Sequence, residues 1–333
     1  INTSVEIAKQ LRGKKAGGFI NALLRKSMGE YLQIALPDKQ KNFPRYISVK
    51  HSLPIWLAKK WIKAFGKDQT ESMCIVINQI PAITLRTNTL KTTRKELQKL
   101  LQDEEVFSEF VPQAPDALVL VERKNVFITQ AFKNGLFEVQ DASSQLVAAF
   151  LDVKPGQKVI DTCAGAGGKT LHLASLMENK GQIIAMDIYA HKLAELKKRA
   201  KRDGAHNIET RPIEGSKSIK KFKGKADRVL IDAPCSGIGV LKRNPDSKWK
   251  LNADFLDRIR KTQAEILDQY ASMVKDGGKM VYATCSILPS ENEKQVETFL
   301  DKHKDFKLVK DKKVSPADSG FDGFYMALLE KKS

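Results

Sequence analysis

The 333-residue sequence predicts an α/β protein, in which a doubly wound, Rossmann-like sheet follows a small α/β module and a helical segment. Three observations predict this class. From about residue 141, apolar strands alternate with helices, as in parallel sheets that are covered on both faces. A glycine-rich turn joins the first of these strands to its helix, and aspartates end several of the strands. The preceding residues lack this alternation, so we expect three segments: 1–66, 67–140 and 141–333.

The first segment is predicted to be helical and basic. Its first 35 residues show apolar positions near helical spacing, and Gly17-Gly18 separates two predicted helices. Ser52 predicts the start of another helix, which stops at Gly66. The segment carries thirteen Lys and Arg against three Asp and Glu, or +10 of the net charge of +18. This excess indicates a polyanionic partner, most simply nucleic acid, although a solvated charged surface is the alternative.

The second segment predicts a small α/β or α+β module. Ala82–Thr87 has the pattern of a strand, and Thr93 begins a predicted helix that runs to about Gln102. Further strands are predicted at Leu118–Val121 and Val126–Ile128.

The third segment predicts the doubly wound sheet. Its predicted strands are Lys158–Asp161, Ile183–Asp187, Ile208–Arg211, Arg228–Asp232, Lys279–Cys285 and Phe324–Leu329. Helices are predicted at about Lys169–Met177, Ala190–Arg202, Phe255–Val274 and Glu291–Lys302. Ligands of such sheets bind beyond the carboxyl ends of the strands, so a site is expected there.

The glycine-rich turn after the first strand suits a nucleoside better than a triphosphate. A phosphate-binding loop needs glycine five positions before Gly168, where the chain has Cys163. The dinucleotide fingerprint fails as well, because Thr170 occupies its third glycine position. Asp187 ends the next strand, 22 residues after Gly165, and can accept hydrogen bonds from ribose hydroxyls. S-adenosylmethionine fits this pattern better than ATP or NAD, and an ordinary turn with a surface aspartate is the alternative.

Two of the cysteines, Cys235 and Cys285, indicate chemistry rather than disulfides or metal, whereas Cys74 and Cys163 are more simply small buried hydrophobic residues. The four cysteines are far apart, and the five histidines show no metal-ligand spacing, so we expect a reduced, cytoplasmic protein without a metal site. Cys235 and Cys285 follow the fourth and fifth predicted strands, close to Asp232. A thiolate that adds to carbon 6 of a pyrimidine activates carbon 5 toward a methyl donor. An acid on the ring edge would stabilise the adduct, and a base must then remove the carbon 5 proton.

Five motifs together resemble the Sun/Fmu family of RNA cytosine-C5 methyltransferases over nearly the whole chain. They are VQDASSQ, DTCAGAGGKT, DAPCSGIGVLKRNPDSKW, YATCSILPSENE and GFDGFY. The resemblance implies a Rossmann-like methyltransferase domain that transfers a methyl group from S-adenosylmethionine to a cytosine in RNA, most simply 16S ribosomal RNA.

The resemblance also implies roles for individual residues. Cys285 would attack carbon 6, Cys235 would assist proton removal and product release, and Asp232 would bind the cytosine edge. Contacts to S-adenosylmethionine are expected from Cys163, Ala164, Gly165, Ala166, Gly167, Gly168, Lys169, Asp187, Glu214 and Asp232. The chain departs from the family pattern at Ala166, where proline is usual, and at Glu214, where aspartate is usual.

The segments before the sheet resemble the family too. Lys14–Lys26 is similar to the end of a NusB-like helical RNA-binding domain, so residues 1–66 would be a partial copy of that domain. Leu85–Asn88 is similar to the start of the module that flanks the RNA path. Arg86 and Asn88 are therefore expected to contact RNA, although such side chains also often bond neighbouring backbone.

The leading hypothesis is a monomeric RNA methyltransferase, with small-subunit ribosomal RNA as partner and S-adenosylmethionine as cofactor. No run of about 18 apolar residues occurs, so no membrane partner is expected. A nicotinamide-dependent oxidoreductase would explain the glycines and Asp187 but not the paired cysteines. A non-catalytic RNA-binding ribosome assembly factor is the third hypothesis, and it predicts that Cys285 is dispensable.

Overall fold

The structure, a computed structural model, describes residues 1–30 and 35–333. It divides into two compact units, residues 1–59 and residues 60–333, which we describe separately.

The first unit is helical. Its helices are α1 (Asn2–Glu30) and α2 (Phe43–Lys50), and α3 (Ile55–Phe65) begins in it. The backbone of α1 is non-helical at Gly13, with φ 83° and ψ 174°, so the predicted break at Gly17-Gly18 is wrong by a few residues. Gly13 adopts this conformation because it has no Cβ. The predicted helical stretch extends over residues 31–34, which lie outside the described part of the chain.

The start of the second unit is a small module built on an antiparallel sheet. The sheet has the order β2-β3-β1-β4, and every neighbouring pair is antiparallel. Its strands are β1 (Thr84–Thr87), β2 (Ser108–Phe110), β3 (Ala117–Leu120) and β4 (Phe137–Val139). The helices of this region are α4 (Lys67–Ile77), α5 (Arg94–Asp103) and α6 (Gln130–Lys133).

One strand predicted in this module is wrong. Val126–Ile128 forms a 3-10 turn, because the side chain of Asn125 accepts the backbone N–H of Phe127 and starts a helical turn. A three-residue apolar run does not distinguish a strand from a turn of helix. The sheet is completed by Phe137–Val139 instead.

The large sheet has seven strands in the order β10-β11-β9-β8-β5-β6-β7. They are β5 (Lys158–Asp161), β6 (Gln182–Asp187), β7 (Ile208–Pro212), β8 (Ala226–Asp232), β9 (Val274–Thr284), β10 (Phe306–Val314) and β11 (Phe324–Lys331). Strands β5 to β9 are parallel, which confirms the predicted α/β class.

The last two strands depart from the predicted parallel pattern. Strand β11 is antiparallel to β9, and β10 is antiparallel to β11. A short connection of nine residues joins β10 to β11, which allows only antiparallel pairing. The sequence analysis missed β10 because it is an edge strand with a run of exposed, mostly charged residues, a composition that protects sheet edges.

Helices cover both faces of this sheet. The helices of this region are α7 (Ala142–Phe150), α8 (Gly168–Leu176), α9 (Ala190–Asp203), α10 (Ser216–Lys220), α11 (Ser247–Lys250), α12 (Ala253–Ala271), α13 (Glu293–Lys302) and α14 (Pro316–Ser319). Apolar residues of α7, α8 and α9 pack on one face, and those of α10, α12 and α13 pack on the other. Helix α12 ends before the predicted Val274, because that residue begins β9.

The loops that follow β8, β9 and β10 meet at two glycines. The N–H of Gly239 donates to the carbonyl of Cys285 at 2.9 Å, and the N–H of Gly323 donates to the carbonyl of Gly239 at 2.8 Å. A Cβ on Gly239 would overlap the carbonyl oxygen of Gly323 and lie 2.7 Å from that of Cys285. This close packing requires glycine at 239.

Gly239→Ala is expected to lower the free energy of unfolding by about 1–3 kcal/mol, because the new methyl group displaces backbone. Urea denaturation measures the loss. Gly18→Ala is the control: this exposed position in α1 has nothing within 4 Å of an added Cβ. It should be neutral or up to about 1 kcal/mol more stable. A Gly239→Ala variant as stable as the parent would contradict the described packing.

Candidate active site

Two free thiols touch at the carboxyl edge of the large sheet. Cys235 lies three residues beyond β8, and Cys285 follows β9 directly. Because β8 and β9 are neighbouring parallel strands, their carboxyl ends share one edge. The two sulfur atoms are 3.1 Å apart, and both side chains are half-buried.

The surroundings of the pair favour the protonated form of Cys235. A hydrogen bond with Cys285, burial, and the charges of Cys285 and Glu291 raise the pKa of Cys235 well above its ordinary value. Cys235 therefore keeps its proton and can donate it to the sulfur of Cys285.

A lysine–aspartate pair lies beside the thiols. The Nζ atom of Lys169, in the first turn of α8, is 2.6 Å from Oδ2 of Asp232 at the end of β8. Burial lowers the pKa of Lys169, but the charge and hydrogen bond of Asp232 and the charge of Cys285 outweigh it, so the net shift is upward. The ammonium group also lies 5.4 Å from the ring centroid of Phe324. A permanent cation is thus available to stabilise negative charge at the thiols and at a bound ring.

A buried carboxyl behind this pair was not singled out by the sequence analysis. Asp161 ends β5 and is 1% exposed, and its Oδ2 accepts a hydrogen bond of 2.7 Å from Thr170. Burial raises the pKa of Asp161 to about 7, although the bond from Thr170 acts in the opposite direction. The sequence signal that could have identified Asp161 is its position at the end of a strand, which it shares with Asp187 and Asp232.

A cavity of about 220 Å³ lies beyond the ends of β5, β6 and β8. Among its lining residues are Cys163, Gly165, Asp187, Asp232, Ile266 and Tyr270. The carboxylate of Asp187 faces this cavity and accepts the backbone N–H groups of Gly165 and Tyr189, each at 2.8 Å. The carboxylate of Asp187 can accept hydrogen bonds from ribose hydroxyls, and the apolar walls beside it can contact a base. The cavity therefore fits the nucleoside part of S-adenosylmethionine.

Four other predicted residues support the glycine-rich turn: Ala164, Ala166, Gly167 and Gly168. The N–H of Ala164 donates to Met186, and the carbonyl of Ala166 accepts a 2.7 Å bond from Arg199. Gly167 caps α8 with φ 93°, where a Cβ would overlap the side chain of Leu196. Gly168 begins the helix. These four residues hold the turn in place and do not line the cavity.

Glu214 is not brought to this cavity. It is exposed in the loop after β7 and lines a different cavity, together with Arg211 and Phe222. The structure leaves its predicted contact with the cofactor without support.

The structure places the side chains of Arg86 and Asn88, the expected RNA contacts, in buried positions. The guanidinium of Arg86, 1% exposed, donates to the side chain of Gln140 and to the carbonyl of Gly168. Burial lowers the pKa of Arg86 to about 10. Asn88 donates to the carbonyls of Gly135 and Asp203, both at 2.7 Å. The two residues join the small module to the glycine-rich turn and to α9.

Three motifs that are distant in the chain meet at one ion cluster. Arg243 bonds Asp141 through Nη2 and Asp322 through Nε, each at 2.7 Å. Asp141 belongs to VQDASSQ, Arg243 to the motif that contains Cys235, and Asp322 to GFDGFY. The cluster holds the loop after Cys235 to the start of α7 and to the loop before β11. The sequence analysis quoted the motifs but did not foresee that they would meet.

Within the described residues, no helix is long and apolar enough to cross a membrane. Residues 1–30 and 35–333 also contain no group of three His, Cys, Asp or Glu side chains that could hold a metal ion.

Comparison with known proteins gives consistent matches. The family described as 16S rRNA methyltransferase RsmB/F matches residues 148–330, and a ferredoxin-like domain of RsmF/B-like methyltransferases matches residues 53–127. The protein named probable ribosomal RNA small subunit methyltransferase B of Bacillus subtilis is 35% identical, over 100% of this chain and 78% of its own. Its counterpart in Vibrio cholerae is 33% identical, over 100% and 76%. A crystal structure of a methyltransferase homolog from Pyrococcus horikoshii is 27% identical, with a TM-score of 0.77, over 86% and 97%.

Arg86→Ala is expected to lower the free energy of unfolding by about 2–4 kcal/mol, because it leaves buried acceptors without a donor. Lys95→Ala, which removes an exposed cation of the same module, should change stability by less than about 0.5 kcal/mol. Thermal and urea unfolding measure both. An Arg86→Ala variant of parental stability but weakened RNA binding would restore the original expectation.

Proposed function

Because the chain belongs to the RsmB/F family of 16S rRNA methyltransferases, whose methyl donor is S-adenosylmethionine, we propose that it methylates carbon 5 of a cytosine in small-subunit ribosomal RNA. The observation that carries the proposal is the contact between Cys235 and Cys285, 3.1 Å apart beside Lys169 and Asp232. Carbon 5 of cytosine is a poor nucleophile, and one thiol of such a pair can activate it while the other assists release of the product.

Cys285 begins the reaction. Its thiolate adds to carbon 6 of the cytosine, and the electron pair of the double bond between carbons 5 and 6 moves onto carbon 5. Asp232 accepts a hydrogen bond from the exocyclic amino group, and the cation of Lys169 offsets the negative charge that collects on the ring. Because Lys169 and Asp232 are 2.6 Å apart, the cation and the carboxylate lie next to the same bound ring.

The cofactor is held at the neighbouring cavity. Asp187 would bind the ribose hydroxyls, and Ile266 and Tyr270 would contact the adenine. S-adenosylmethionine supplies an electrophilic methyl group for carbon 5. Asp232 lines this cavity and also pairs with Lys169, so one carboxylate adjoins both binding regions.

Cys235 completes the reaction. The largest cause of its raised pKa is the hydrogen bond with Cys285. Once Cys285 is bonded to carbon 6, that sulfur carries no charge, so Cys235 becomes easier to deprotonate. The Cys235 thiol loses its proton to solvent, and its thiolate then takes the proton from carbon 5. The electrons of that C–H bond restore the double bond between carbons 5 and 6, and the electrons of the bond between carbon 6 and sulfur leave with Cys285 as a thiolate.

The remaining assignments are proposals of the same account. Residues 1–66, with a net charge of +10, are proposed to bind ribosomal RNA as a partial NusB-like segment. Residues 67–140 are proposed to flank the RNA path, with residues 141–333 as the catalytic domain. We further propose a monomer that acts in the cytoplasm without a metal.

Cys235→Ala should allow attack but block release, so a covalent protein–RNA adduct should accumulate. Multiple-turnover methylation should fall by about 10²–10⁴-fold, the usual effect of losing an acid–base group. A denaturing gel with labelled RNA shows the adduct as a shifted band, and tritium transfer from the cofactor measures turnover. Cys74→Ala, which removes a buried thiol of α4, is the matched control and should retain turnover.

Cys285→Ala should form no adduct and should lose methylation by about 10³-fold or more. Combined with Cys235→Ala, it should abolish the shifted band. Methylation that persists in Cys285→Ala would overturn the covalent mechanism. A parent protein that binds ribosomal RNA but methylates no cytosine would favour the assembly-factor hypothesis.

A further inference from the structure

Glu291 is a fully buried carboxylate that the proposed reaction does not yet use. It lies between β9 and α13 and has 0% exposure. The sequence analysis quoted its motif, YATCSILPSENE, for the nucleophile alone. Burial of a charge is costly unless hydrogen bonds compensate for it, so its surroundings must be built for it.

The carboxylate accepts hydrogen bonds from the residue that follows each active-site cysteine. Ser236 donates its backbone N–H at 2.8 Å and its hydroxyl at 2.6 Å, and Ser286 donates its hydroxyl at 2.7 Å. Gln263 of α12 adds a fourth bond at 3.1 Å, and the same amide donates to the carbonyl of Pro234 at 3.0 Å. The residues on both sides of Cys235 are thus tied to Glu291.

The loop of Cys285 is held by the same segment. The hydroxyl of Tyr282 donates to the backbone carbonyl of Glu291 at 2.7 Å. Asn292 accepts a 2.6 Å bond from Thr284 and donates a 2.9 Å bond to the carbonyl of Ser286. Glu291 bonds both cysteine loops directly, and the hydroxyls of Ser236 and Ser286 also lie 3.3 Å apart across the two loops.

The charge of Glu291 also acts on the thiols. It is one of the causes that raise the pKa of Cys235, after the bond with Cys285, burial and the charge of Cys285. A negative charge on this side of the pair opposes ionisation of Cys235.

We propose that Glu291 is a positioning residue for methyl transfer: its carboxylate, bonded to Ser236 and Ser286, holds the two thiols in contact and so places Cys285 for attack. The inference rests on the proposed function for the roles of the two thiols, but not for their geometry or for the position of the proton.

The proton assignment can be tested without RNA. In a Cys285→Ala background, alkylation of Cys235 by iodoacetamide is followed against pH by peptide mass spectrometry, with Cys74 and Cys163 as internal references. Glu291→Gln removes the charge and keeps an acceptor, so the midpoint for Cys235 should fall by about one pH unit, or about tenfold in rate at fixed pH. Glu297→Gln, which removes an exposed charge from α13, should leave the midpoint unchanged.

The positioning role is tested in single turnover. In a Cys235→Ala background, the rate of adduct formation should fall by about 10–100-fold in Glu291→Gln, as is usual when a supporting partner is lost. The rate of adduct formation should fall further in Glu291→Ala, while the affinity for RNA should stay within about twofold of the parental value in both variants. Rescue by glutamine relative to alanine separates positioning from simple destabilisation.

The outcomes distinguish the two proposals. Parental alkylation and parental adduct rates in Glu291→Gln would overturn the role of Glu291. A shifted alkylation midpoint in a protein that forms no adduct with RNA would support Glu291 and contradict the proposed function. If Glu291→Ala does not fold, Glu291→Gln and the alkylation profile decide the question.

Discussion

The contact between two sulfur atoms at the ends of neighbouring parallel strands is the constraint on which the site depends. Strands β8 and β9 are hydrogen-bonded along their length, so the residues that follow them emerge side by side. Cys235 and Cys285 are 3.1 Å apart for this reason, although 50 positions separate them in the chain. Two thiols at this distance cannot both ionise easily, because each thiolate opposes the other. The pair therefore behaves as one unit, in keeping with the proposal that one sulfur attacks while the other keeps a proton.

The surrounding structure fixes that pair from several directions. Gly239 packs against the carbonyl of Cys285, and the ion cluster of Arg243 holds the loop that follows Cys235. Arg86 connects the small module to the glycine-rich turn, which carries Lys169 to Asp232. The small module is thus a structural support of the catalytic loops at these contacts. A substitution in it can change methyl transfer without any contact to RNA.

Sequence reasoning found the features that depend on neighbouring residues. Parallel strands such as Lys158–Asp161 and Gln182–Asp187 were predictable because each contains a short apolar run followed by a turn and a helix. Cys235, Cys285, Asp187 and Asp232 were predictable because the ends of such strands share an edge. Two features that depend on distant contacts were not predicted. The edge strand Phe306–Val314 is charged and has no apolar run, and Arg86 is buried although it is a charged residue of a kind usually found at the surface. Glu291 was missed for the same reason, since only the fold brings its four donors together.

The central claim is that Cys285 forms a bond to the target cytosine while Cys235 stays unmodified beside it. RNA in which the target carries 5-fluorocytosine tests this in the parent protein, because fluorine at carbon 5 cannot leave as a proton does and the adduct persists. Peptide mass spectrometry after nuclease and protease digestion identifies the modified cysteine. The account predicts a methylated fluorocytosine on the peptide that contains Cys285. An adduct on the peptide of Cys235, or methyl transfer to normal RNA with no trapped adduct, would contradict it.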